Sequence, residues 1–281
     1  MVSFPDLSRQ VALRRCVLAV SVIDGVDIYP RDDYVQFECG PVLHLEWSEI
    51  DRAVAAADAD SSEARRRLAA WLRLRGALAT IDQPALRLRA IGLPRGHVLH
   101  PGPSWVRHAV HGDALDVGIG MLGLGDDPDE VVVVPAALLT AAGMDELASW
   151  PDLARSLEQT GRLAAERLTH DPSAPLRPFG DFDVVTLLAS TAFRAELCSA
   201  DPIGWRSAAV PMRQRGWLDL GRIDPAFAAA AALATEPDER GFDRAVLVTT
   251  EEVVLVRAGG QAASHALQDP PATLDPWQRG S

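Results

Sequence analysis

The chain has 281 residues, 48% of them apolar, and a formal net charge of −12. It can bury one large core or two ordinary ones, it is too apolar for intrinsic disorder, and its overall field repels nucleic acid. No apolar run approaches the roughly 20 residues of a bilayer span, so no membrane segment is expected.

Lysine and asparagine are both absent, so all 27 basic residues are arginine. That excludes Walker A nucleotide binding, pyridoxal Schiff-base chemistry, Ser-Lys hydrolysis and the protein-kinase constellation, each of which needs a lysine. Both missing residues have A-rich codons, so GC-rich bacterial coding accounts for the loss without selection on function. Cys16, Cys39 and Cys198 have neither metal spacing nor an even-numbered framework and read as buried thiols of a reducing compartment, with the cytoplasm as the expected location.

Taken in chain order, RRCVLAVSVIDG at 14–25 begins too deep, and ends in an acid too soon, for a signal peptide. Residues 16–23 read as a first buried strand. Further strands at 26–29, 34–39 and 42–46, separated by Asp-Gly and Gly-Pro turns, complete an N-terminal antiparallel meander. Ser48 starts a helix expected to reach residue 57, and Ser61 or Ser62 caps a second reaching residue 79. Ala64, Leu68, Trp71, Leu72 and Leu78 form its apolar stripe, with Arg65, Arg66, Arg73 and Arg75 off it.

Residues 64–108 carry nine arginines against one acid, Asp82, within an otherwise strongly acidic chain. Arginine stems commonly cover apolar surface. The same asymmetry leaves room for a small anionic ligand, with Arg65, Arg73 and Arg107 as candidate contacts.

Four of the seven histidines, His97, His100, His108 and His111, fall within fifteen residues and are followed by Asp113 and Asp116. Such density suggests a metal or proton-transfer site. Spacing works against it for His97 and His100, because Pro101 holds His100 extended and side chains three apart on an extended chain diverge. A short helix over 103–111, ended by Gly112, would instead put His108 and His111 on one face near its C-terminus. With Asp113 they form the candidate metal set, and zinc is the divalent ion such ligands suit. A helix C-terminus also favours histidine without any ligand. Ser104 lies near His100 and His108 but lacks the glycines of a nucleophile elbow.

The stretch GIGMLGLG, 118–125, matches the GxGxxG pattern of phosphate-cradling loops. Its neighbours contradict that chemistry. Leu115, Val117, Ile119 and Met121 alternate with Asp116, Gly118 and Gly120, the period of a strand. The glycines lead into DDPDE and a valine run, an acidic turn between two strands rather than a helix N-terminus. The bare glycine face is read as a place where the protein packs closely on itself. DDPDE lacks calcium-loop spacing and reads as a solvated turn.

Pro135 opens a helix that Gly143 ends, and a longer amphipathic helix carries Trp150, Leu153, Leu157, Ala164 and Leu168. Residues 171–183 are the best linker, dividing a region 1–170 from a smaller helical and hairpin region 184–258 packed on it. The latter comprises helices over 182–200 and 225–234 and a terminal hairpin over 245–258, with 259–281 as a flexible tail. The fold class is α+β (mixed α/β): N-terminal antiparallel meander, central helices with a β-hairpin around 114–134, C-terminal helices and a terminal hairpin. No complete catalytic motif accompanies this pattern. The expected role is binding or regulation without a cofactor, through an unknown protein or small anionic ligand, and the alternative is a metal-assisted hydrolase using the His97 to Asp113 cluster.

Overall fold

The computed structural model describes residues 7–54, 57–100, 105, 107–125, 127–170, 175–199, 201–218 and 225–256, without the side chains of 107–110, 146, 169–170 and 225–228. The fold is α+β, with eight helices and three antiparallel sheets among these residues.

The first element corrects the sequence reading: α1 (Leu7–Asp24) is a helix, not a strand. Its buried residues Ala12, Leu13, Cys16, Val17 and Val20 recur at helical spacing. Valine and isoleucine bias residues 17–23 toward a strand locally, but packing on α3 and β1 overrides that preference.

The expected meander comes next as β1 (Ile28–Pro30), β2 (Tyr34–Glu38) and β3 (Val42–Glu46), in sheet order β1-β2-β3. Helix α2 (Trp47–Val54) leads to α3 (Ser62–Thr80), whose cap is Ser61: its hydroxyl accepts from the Ala64 amide at 3.1 Å. The apolar faces of α1, α2, α3 and the meander form one core, to which Ile119 and Met121 of the central sheet contribute.

The central sheet is β4 (Leu88–Pro94), β6 (Leu115–Leu122) and β5 (Arg107–His111), with β7 (Val131–Val133) also paired to β6. Residues 107–111 are therefore strand, not the expected helix, because their backbone completes the β6 ladder. Leu115 and Val117 of β6 join a second core with α5 (Glu146–His170), α6 (Val184–Leu187), α7 (Thr191–Ser199) and a third sheet. That sheet has order β11-β10-β8-β9, from β8 (Trp205–Met212), β9 (Arg215–Leu218), β10 (Val246–Thr249) and β11 (Val253–Leu255). Helix α4 (Ala136–Ala141) starts after Pro135 and ends before Gly143 at φ +67°, and α8 (Pro225–Ala234) is the expected alanine-rich helix. The helix expected over 182–200 is instead two helices, α6 and α7, separated at residues 188–190. The expected tail over 259–281 lies outside the described residues.

The glycine face of β6 is filled by the chain itself, as its sequence pattern implies. A β-carbon at Gly120 would lie 2.7 Å from Val131 Cγ1 and 3.0 Å from Ile91 Cγ2. Trp105 is buried with Ile91, Leu93 and Val133, and its indole N–H donates to the Ile119 carbonyl at 2.9 Å. Beyond Gly123, at φ +71°, the chain turns through acidic residues into β7 rather than into a helix.

Candidate functional site

Among the described residues, four of the nine arginines of the basic segment meet acids of this same chain. Arg65 lies 3.5 Å from Asp24, Arg67 pairs with Glu63, Arg89 reaches Asp181 at 2.6 Å, and Arg95 reaches Asp116 at 3.2 Å. Arg73 is exposed two helical turns beyond Arg65 on α3, and Arg107 lies on β5 opposite Gly118. The side chain of Arg107 is outside the described residues. The charge asymmetry of the sequence is thus compensated in part.

The three histidines of the cluster whose side chains are described, His97, His100 and His111, stand in different environments. His97 is buried; its Nδ1 accepts from the Leu99 amide at 3.1 Å, which leaves the proton on Nε2. Burial holds its pKa below the ordinary value, and the Arg213 guanidinium lowers it further. His100 turns to a different partner, its Nε2 standing 3.1 Å from Asp116 Oδ2, with the Trp105 ring edge-on at 5.2 Å between centroids. Asp116 is almost fully buried and holds both His100 and Arg95.

His111 sits in a third environment. It lies opposite Leu115 in the β5–β6 ladder, and burial, followed by the Arg194 charge, lowers its pKa. Asp113 accepts the Leu255 amide at 3.0 Å, tying the β5–β6 turn to β11. The side chain of His108 and all of Ser104 are outside the described residues. Among the described residues no group of three or more His, Cys, Asp or Glu side chains is placed to hold a metal ion.

What the fold does assemble is an acidic cleft of about 530 Å³. Ala90 and Ile91 of β4, Leu122 and Val131 of the β6–β7 hairpin, and Phe182 are among its lining residues, with Ala90, Ile91 and Phe182 almost fully buried. Three separate turns supply carboxylates: Asp127, Asp129 and Glu130 after the glycine strand, Asp181 and Asp183 before α6, and Asp238 and Glu239 before β10. Arg213, in the β8–β9 turn, is the one arginine among the lining residues.

The base of the cleft is fixed by hydrogen bonds. Asp183 takes the Arg213 guanidinium at 2.6 Å through one oxygen and the Thr186 amide at 2.6 Å through the other. The Val184 amide donates to the Arg213 carbonyl at 2.8 Å, and the Arg213 amide donates to the Glu239 carbonyl at 2.9 Å. Asp181 is taken by Arg89. Among the described residues, Asp129, Asp238 and Glu239 form no ion pair, so the rim presents uncompensated negative charge. This arrangement can receive a cation.

Sequence reasoning missed the cleft. Its only trace is three short acidic turns, DDPDE, GDFD and EPDE, each containing proline or glycine and separated by 50 residues or more. Nothing local says that they converge.

No protein-family model, no curated protein and no solved structure matches this chain.

Proposed function

We propose that this protein acts by binding, and that the acidic cleft receives a cationic ligand or partner segment whose amine or guanidinium group meets the rim. The observation that carries this reading is the cleft's charge: of seven lining carboxylates, Asp129, Asp238 and Glu239 form no ion pair among the described residues, and the lining arginine, Arg213, is committed to Asp183. Like charges gathered from three turns repel one another, and a bound cation relieves that repulsion. The cleft's volume lies within the range of ligand pockets.

No helix among the described residues is long and apolar enough to cross a membrane. Cys16, Cys39 and Cys198 are free thiols, which supports a reducing, cytoplasmic setting for the binding reaction.

The test is calorimetric titration of the full chain with spermidine and with an arginine-rich hexapeptide, against a glutamate-rich hexapeptide of equal length. The two cations should bind and the acidic peptide should not. Affinity should fall with added salt, and Asp129→Asn, Asp238→Asn and Glu239→Gln together should weaken it at least tenfold. Equal binding by the triple variant and the native protein would refute the reading.

A further inference from the structure

We draw no further inference here: the strongest candidate, the exposed apolar seam of Leu7, Val11, Leu18 and Val22 on the outer face of α1, carries nothing because nothing in the structure shows what covers it.

Discussion

Asp183 and Arg213 form a buried ion pair at the base of the acidic cleft, with Arg213 Nε and Nη2 at 2.7 and 2.6 Å from the same carboxylate oxygen. Both residues are more than nine-tenths buried. Their attraction offsets a desolvation cost that neither could sustain alone, and the second Asp183 oxygen is used on the Thr186 amide. Asp183→Asn leaves the guanidinium buried without its counter-charge and should cost about 3 to 5 kcal/mol in urea unfolding. Arg213→Met should cost a similar amount, and the double variant should cost clearly less than the two singles together. Additive losses would mean that the pair does not act as a unit.

Gly92 should not tolerate a side chain, although its backbone lies in an ordinary strand. A β-carbon there would sit 3.0 Å from Thr186 Cα and 3.1 Å from the Val185 carbonyl oxygen, both backbone atoms that cannot swing aside. The Gly92 amide also donates to the Thr186 hydroxyl at 2.9 Å, so any retreat of α6 breaks that bond. Gly92→Ala should destabilise by about 1 to 3 kcal/mol through overpacking. Thr186→Val should cost about 1 to 3 kcal/mol by leaving the amide buried without its acceptor. Chemical denaturation of each variant reads both values, and a neutral Gly92→Ala would show that α6 can move freely.

Glu158 of α5 serves as the cap of another helix. Its carboxylate accepts from the Thr191 amide at 2.9 Å, the Ala192 amide at 2.8 Å and the Ser190 hydroxyl at 3.0 Å, and so satisfies the first donors of α7. Glu158→Ala should cost about 2 kcal/mol, and Glu158→Gln about half of that, since the amide oxygen still accepts but the negative charge is lost. Amide hydrogen exchange should report the loss at Thr191 and Ala192 before the rest of α7. Unchanged protection at those two amides would contradict the capping role.

The elements legible in the sequence are those whose pattern is local. Ser61 and the Leu68–Trp71–Leu72 stripe specify α3, and the alternation from Leu115 to Met121 specifies β6, because each signal lies within the element it describes. Helix α1 is not legible, since its valines favour a strand and only contact with α3 and β1 decides otherwise. Strand β8 is hidden by Pro211 near its end, and β4 by Arg89, Gly92 and Pro94, which break its apolar pattern. The partners of the basic segment's paired arginines are hidden for a related reason. Arg89 finds Asp181 and Arg95 finds Asp116 at separations no window spans, and the cleft's carboxylates likewise meet only through β4, α6 and the β8–β9 turn.

Two histidines withdrawn from solvent give stability a defined pH dependence. Burial, and then the charges of Arg213 and Arg194, lower the folded-state pKa values of His97 and His111 below the unfolded value near 6.5. Between the lowered values and 6.5 the unfolded chain binds protons that the folded chain does not, so stability rises with pH across that window. It is complete above the unfolded pKa, falls as the pH drops through 6.5, and stops falling on this account below the folded values. Each histidine contributes at most about 1.4 kcal/mol per pH unit. His97→Asn keeps an acceptor for the Leu99 amide, and His111→Gln keeps a donor, while neither can be protonated in this range. Urea midpoints measured from pH 8 to 5 should fall more steeply for the native protein than for the double variant. Parallel curves would show that these two imidazoles titrate alike in the folded and unfolded chains.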